Sequence, residues 1–132
     1  MILLDTSFFV GTYRERDAYH QRAGEVFRQV SATGEELQVL ESAVGETATF
    51  LRRNDGAKTA SEKSLQILHS HDWKMLTPSV SEVGEALTLL GKYGFSSYTD
   101  ALNIAVMQSR GIKKIVSFDS EFDRVPGIKR IF

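Results

Sequence analysis

Residues 2–7, Ile-Leu-Leu-Asp-Thr-Ser, join three apolar residues directly to an acid and two hydroxyls. A short apolar run that stops at capping residues is typical of a buried strand followed by a helix. Residues 115–119, Ile-Val-Ser-Phe-Asp, end in the same way. If the two strands are neighbours in a parallel sheet, the carboxylates of Asp5 and Asp119 converge on one crevice.

Strand and helix patterns alternate along the rest of the chain. The predicted helices cover residues 17–30, 42–51 (with Ser42 as the expected cap), 57–69, 79–93 and 99–110, and the predicted strands cover 2–4, 37–40, 74–77, 115–118 and 129–132. This alternation predicts a three-layer α/β fold, in which a mostly parallel, twisted sheet of four to five strands is flanked by helices. We expect a single domain over residues 1–132.

The composition excludes some kinds of site. The chain has 132 residues and no cysteine, so disulfides and thiolate metal sites are ruled out. With 16 Lys and Arg against 17 Asp and Glu, it lacks the basic excess of many nucleic-acid binders, and phosphate contacts must be local or carried by a metal. Neither a secretory signal nor an apolar stretch near the roughly 18 residues of a membrane span is visible. We expect a cytoplasmic protein without membrane contacts.

Three further acids extend the candidate site. Asp100 opens an almost wholly apolar helix, which indicates a buried helix start, although a cap with Ser97 would also explain it. Glu46 follows the second strand, and a solvated helix glutamate is its simpler interpretation. Asp123 lies four residues after Asp119, one helical turn along the same face. Helix capping would likewise explain Asp5 or Asp119 taken singly.

Several carboxylates in one crevice raise one another's pKa and need a counter-charge. A set of oxygen ligands favours Mg²⁺ or Mn²⁺ over Zn²⁺. Such an ion polarises a phosphoryl oxygen and generates hydroxide from bound water, as phosphodiester hydrolysis requires. The set of acids therefore predicts a metal-dependent nuclease.

The motifs resemble those of PIN domains, and more narrowly the ribonuclease toxins of VapBC toxin–antitoxin modules. The resemblance spans residues 2–132 and rests on Leu-Leu-Asp-Thr-Ser at 3–7, the helix with Glu46, Tyr-Thr-Asp-Ala-Leu-Asn-Ile-Ala at 98–105 and Val-Ser-Phe-Asp-Ser-Glu-Phe-Asp-Arg-Val-Pro-Gly at 116–127. It implies catalytic roles for Asp5, Glu46, Asp100 and Asp119, and metal ligation by Asp5, Asp100, Asp119 and Asp123. It also implies that Thr6, Ser7 and Ser117 steady ligands or water.

The same resemblance implies an endoribonuclease that uses Mg²⁺ or Mn²⁺ and leaves a 5′-phosphate. It further implies a homodimer, a toxin that inhibits growth, and a small antitoxin protein that neutralises it. Arg14, Arg16 and Arg52 are possible RNA contacts if they rim the crevice, although most Arg side chains are simply solvated.

The alternative function is a PIN-like module that has lost turnover and binds RNA or a protein. Retention of four acids argues against it, because a scaffold gains nothing from crowding carboxylates. An aspartyl-phosphate phosphatase would need an acid two residues after Asp5, where Ser7 stands.

Overall fold

The computed structural model describes residues 1–132 and contains one sheet of five strands. The strands are β1 Ile2–Leu4, β2 Leu37–Leu40, β3 Lys74–Leu76, β4 Lys114–Val116 and β5 Lys129–Ile131. Their order is β3-β2-β1-β4-β5, and every neighbouring pair is parallel. The predicted α/β class with a parallel sheet is confirmed.

Six α-helices and one 3₁₀ helix connect the strands. They are α1 Thr6–Tyr13, α2 His20–Ser31, α3 Glu41–Asp55, α4 Ala57–His69, α5 Val80–Tyr93, α6 Tyr98–Arg110 and the 3₁₀ helix Ser120–Arg124. No helix is long and apolar enough to cross a membrane.

Alternating side chains of β1 divide the core between the two faces of the sheet. Ile2 and Leu4 belong to a cluster with buried residues of α1 to α4, which we call the α1–α4 core. Leu3 points into a second cluster with α5, α6 and the 3₁₀ helix, which we call the α5–α6 core. The sheet is thus the middle of three layers, and helices cover both of its faces with buried apolar side chains.

The strand order reverses at β1. From β1 the chain moves outward to β2 and β3, then returns to the other side of β1 to form β4 and β5. Leu4 is paired with Val116, so the carboxyl ends of β1 and β4 lie side by side. Parallel α/β sheets bind ligands in the crevice beyond such a point.

Several element boundaries differ from the predicted ones. Helix α3 begins at Glu41, with Leu40 in the cap position and no side-chain cap. The prediction of Ser42 as the cap is therefore wrong, and its buried hydroxyl has no hydrogen-bond partner. Strand β4 ends at Val116 rather than Phe118, and the Ser117 hydroxyl that follows it donates to Asp5.

Candidate metal and active site

A pocket lies at the carboxyl ends of β1 and β4. The four acids predicted as catalytic all line it, together with hydroxyl and aromatic side chains. No Lys or Arg lines it. The lining residues are Asp5, Thr6, Ser7, Val10, Asp17, Tyr19, Glu46, Phe50, Ser96, Ser97, Asp100 and Asp119. The sequence placed two of these acids by their strand ends, and the reversal of strand order brings those ends together.

Asp5 is only 2% exposed and is held by donors on both oxygens. Its Oδ2 accepts hydrogen bonds from the hydroxyls of Ser117, at 2.8 Å, and Ser7, at 2.9 Å. Its Oδ1 accepts one from the Asn103 amide at 3.0 Å. Because each carboxylate oxygen offers about two acceptor positions, Oδ1 keeps a free lone pair. Asp5 is thus oriented as a ligand that can bind a cation through Oδ1.

The hydroxyls of Ser7 and Ser117 both donate to Asp5, and each also accepts a hydrogen bond from a backbone N–H. Phe118 N donates to the Ser7 hydroxyl at 2.9 Å, and Asp119 N donates to the Ser117 hydroxyl at 3.0 Å. Each hydroxyl has a single proton, and both protons are used on Asp5. The local turns after β1 and β4 are therefore tied together through one carboxylate.

Asp100 is in the first turn of α6, and the residue as a whole is 6% exposed. Ser97 caps the helix by accepting a hydrogen bond from Asp100 N at 3.2 Å. Burial first, and then the negative charge of Asp5, raises the pKa of Asp100 to about 7, with smaller contributions from Asp119 and Glu46. Burial also raises the pKa of Asp5, although its hydroxyl and amide-hydrogen donors partly oppose this.

Asp119 begins the 3₁₀ helix and accepts a hydrogen bond from Glu121 N at 2.9 Å. Its carboxylate belongs to a group of three acids, in which oxygens of Asp100, Asp119 and Glu121 lie within 4.8 Å of one another. Glu121 also accepts hydrogen bonds from the backbone and hydroxyl of Ser96, at 3.1 and 3.0 Å. Glu121 was not predicted as a site residue.

Glu46 reaches the pocket from α3, and its position is fixed by a neighbour from α1. The Thr6 hydroxyl donates to Glu46 Oε2 at 2.7 Å. Thr6 and Ser7, adjacent in sequence, therefore orient Glu46 and Asp5 respectively. The three hydroxyl residues expected to steady ligands all contact the acids in this way.

Asp123 is placed elsewhere. Its two oxygens accept hydrogen bonds from the Arg130 guanidinium at 2.9 and 2.8 Å, and it does not line the pocket. Its side chain is half exposed, and the Arg130 hydrogen bonds lower its pKa. The structure brings Glu121, rather than Asp123, to the other acids.

The three predicted basic residues do not line the acid pocket. Arg14 binds Asp55 at 2.8 Å and lies over the Phe50 ring, 5.4 Å from its centroid. Arg14 and Arg16 line an adjacent polar depression, and Arg52 lines a groove between α3 and α4. Phe50 contributes to the acid pocket, so Arg14 borders it indirectly.

Sequence reasoning also missed Asn103, Asp17 and Tyr19. Asn103 is fully buried and donates to Asp5 from a residue 98 positions away. A usable signal was present, because Asn103 is the one amide in the buried run 101–107 of α6 and lies three residues after Asp100, on the same face. Asp17 and Tyr19 belong to the segment between α1 and α2, and nothing in their local pattern indicates the pocket.

The donor set fits a hard divalent cation. The acids offer only oxygen ligands, crowd together without a lining Lys or Arg, and raise the pKa of Asp100. Mg²⁺ and Mn²⁺ bind such oxygen-only sets and would relieve the repulsion among the carboxylates.

An all-parallel α/β domain with a carboxylate cluster beyond its central strands defines the class of this protein. A family model described as the PIN domain matches residues 2–128. The chain belongs to the PIN-domain family, and the resemblance noted from its motifs is confirmed.

Curated relatives match over a shorter stretch. The chain is 45% identical over 51 residues to ribonuclease VapC13 of Mycobacterium tuberculosis and to a VapC ribonuclease of Mycobacterium bovis. Each match covers 39% of this chain and 39% of the relative.

Solved structures match over nearly the whole chain. VapC20 of Mycobacterium tuberculosis, described as a Sarcin-Ricin loop cleaving toxin, has a TM-score of 0.81 at 24% identity, covering 93% of each chain. VapBC2 of Rickettsia felis, bound to a DNA fragment from its promoter, has a TM-score of 0.68 at 17% identity, covering 99% of this chain and 98% of that one. At these identities the likeness establishes the fold.

Proposed function

We propose that this chain is a metal-dependent endoribonuclease that acts as the toxin of a toxin–antitoxin pair. The observation that carries the proposal is a single pocket that no Lys or Arg side chain lines and on which four acids converge, Asp5, Glu46, Asp100 and Asp119. The partial match to VapC ribonucleases supports RNA as the substrate.

In this proposal the acids have separate tasks. Asp5, Asp100 and Asp119 hold Mg²⁺ or Mn²⁺, with Glu121 close enough to two of them to contribute. Such an ion, when bound, supplies a polarised phosphoryl oxygen and an activated water. The protein itself orients the ligands: Ser7, Ser117 and Asn103 fix Asp5, and Thr6 fixes Glu46.

The RNA needs contacts outside the acids, which repel its phosphates. Arg14 and Arg16, in the depression beside Phe50, are the proposed phosphate contacts. Arg52 lines the α3–α4 groove instead and is the weakest of the three proposed contacts. We also propose an antitoxin partner, which the toxin–antitoxin complexes among the structural neighbours support. A homodimer is proposed from the family resemblance alone.

The test is RNA cleavage by the purified protein with Mn²⁺ or Mg²⁺, with a chelator, and after Asp5→Asn or Asp119→Asn. We expect at least about a hundredfold loss in the chelator and in either variant, because each removes a ligand or the ion itself. Asp72→Asn, which alters an exposed acid bonded to Ser70, is the matched control and should retain activity. Equal cleavage under all conditions would exclude the mechanism.

Loss of turnover with retained binding remains the alternative function. RNA binding without any metal-dependent cleavage, in a protein whose fold and metal binding are intact, would favour that alternative. Copurification of a small partner that blocks cleavage would support the toxin role, and light scattering of the purified chain would test the dimer.

A further inference from the structure

Tyr19 is an aromatic side chain at the acid pocket that the proposed catalytic roles do not use. It lines the same pocket as Asp5, Asp100 and Asp119, and 47% of the residue is exposed. Its hydroxyl makes no hydrogen bond within the protein, although most of its neighbours in the pocket are polar. A large ring left open beside a polar site has a surface available for a ligand.

The ring is held in place on one side. Tyr19 stacks on Phe118 with a centroid separation of 4.5 Å and an interplanar angle of 1°. Phe118, which supports the Tyr19 ring, directly precedes Asp119, so both residues belong to the turn after β4. Parallel stacking covers one face of the phenol, and the exposed area is left to the other face and the edge.

The backbone of Tyr19 is also fixed. Its N–H donates to Asp17 Oδ1 at 2.9 Å, and its carbonyl accepts from Ala23 N at 2.7 Å. Gly11 lies close beneath, since a Cβ there would be 3.5 Å from Tyr19 Cβ and 3.4 Å from the Phe118 ring. The ring is therefore preorganised, and ligand binding need not order it first.

We propose that Tyr19 is a stacking platform for a nucleobase next to the cleaved phosphodiester. This inference rests on the proposed ribonuclease function, which places the reacting phosphate at the acids. The base beside that phosphate lies within one nucleotide of the pocket that Tyr19 lines. A base can stack on a side chain only when it has left its own helical stack, so the substrate class is single-stranded or locally unpaired RNA.

The first test separates stacking from packing. Base–aromatic stacks contribute enough that Tyr19→Ala and Tyr19→Leu should lower kcat/KM by about five- to a hundredfold, mainly through KM. Tyr19→Phe and Tyr19→Trp should stay within about threefold of wild type, because both keep a π-face. Tyr98→Ala, which removes an exposed tyrosine that does not line the pocket, is the matched control. Full activity in Tyr19→Leu would overturn the proposal.

The second test identifies the base. A substrate series with one abasic nucleotide at each position around the cleaved bond should show a loss for wild type at one neighbouring position. In Tyr19→Ala the same abasic substitution should not lower kcat/KM any further, because the ring on which the base stacks is already absent. Independent losses from the two changes would contradict stacking between them.

The third readout needs no cleavage. RNA with 2-aminopurine at the identified position, or at each neighbouring position in turn, is titrated with the protein in a chelator. We expect fluorescence quenching with wild type and Tyr19→Trp that is lost in Tyr19→Leu. If wild type shows no metal-dependent cleavage, the proposed function fails while this quenching still decides the role of Tyr19. Unchanged RNA behaviour, with weakened binding of a protein partner instead, would assign the ring to that partner and overturn the proposal.

Discussion

Asp5 and Asp100 are both buried, but the protein treats their carboxyl groups differently. Asp5 receives two hydroxyl donors and one amide donor, which stabilise its ionised form in spite of burial. Asp100 has fewer donors and faces the charges of Asp5, Asp119 and Glu46, so its pKa rises to about 7. The hydrogen bonds to Asp5 thus oppose the rise in pKa that burial causes there, whereas at Asp100 the neighbouring negative charges add to the effect of burial.

Asp100→Asn should therefore stabilise the metal-free protein. Because the pKa of Asp100 is raised, the contribution of its protonated carboxyl group to stability is fully present below pH 3.8. That contribution is lost as the pH rises through about 7. The neutral amide removes that loss, and we expect the free energy of unfolding at pH 7.5 in a chelator to rise by about 1–3 kcal/mol. Urea unfolding measures it. A variant less stable than wild type at pH 7.5 would contradict the crowding.

Glu121→Gln and Asp123→Asn distinguish the two candidate acids of the 3₁₀ helix. Glu121 lies with Asp100 and Asp119, whereas Asp123 is engaged by Arg130. We expect Glu121→Gln to weaken Mn²⁺ binding by about tenfold or more, as loss of a ligand does, and Asp123→Asn to weaken it less. The Mn²⁺-dependent rise in melting temperature measures both. A larger effect of Asp123→Asn would restore it as a ligand.

At the scale of elements, α5 and α6 are joined by a partly buried ion pair at the opposite face of the sheet from α1. Glu82 completes the capping box of α5 with Ser79 and receives two hydrogen bonds from Arg110, both at 2.7 Å. Arg110 also donates to Thr77 O at 2.9 Å. One carboxylate therefore holds the start of α5 against the end of α6.

Glu82→Gln should destabilise the protein by about 2–3 kcal/mol at pH 7, below the usual figure for a broken buried pair because Arg110 is one-third exposed. The hydrogen bonds from Arg110 lower the pKa of Glu82, so this stability is present above the ordinary value of 4.5 and is lost as pH falls below it. Urea unfolding from pH 7 to pH 3 should show a smaller acid loss in the variant. Glu85→Gln, exposed on the same helix, should change stability by less than about 0.5 kcal/mol.

Local sequence predicts the elements and the acids at their ends better than the contacts between them. Asp5 and Asp119 follow apolar strands, and that pattern is visible within five residues. Asn103 and Glu121 were missed because their roles depend on partners brought together by folding, Asp5 in one case and Asp100 in the other. The boundary at Ser42 failed for a similar reason, because packing buried the hydroxyl instead of letting it cap α3.

At the scale of the whole molecule, two cores share a five-stranded sheet. Trp73 is the sole tryptophan and lies at the α1–α4 core, where it contacts Phe9 and Phe27 and donates to Ile67 O at 2.8 Å. Leu102 is buried in the α5–α6 core on the other face. Because each strand contributes side chains to both faces, neither core can lose its packing without disturbing the layer that the other one covers.

Leu102→Ala should therefore shift the unfolding reported by Trp73, although the two side chains belong to different cores. Removing a buried leucine costs about 2–5 kcal/mol, because the cavity left behind is only partly filled. If residues 1–132 form one cooperative domain, urea transitions followed by Trp73 fluorescence and by far-UV circular dichroism coincide and move together by that amount. Leu87→Ala, which truncates an exposed leucine of α5, is the matched control and should move neither transition. A Trp73 transition that stays in place while the circular dichroism transition moves would mean that the two faces unfold separately.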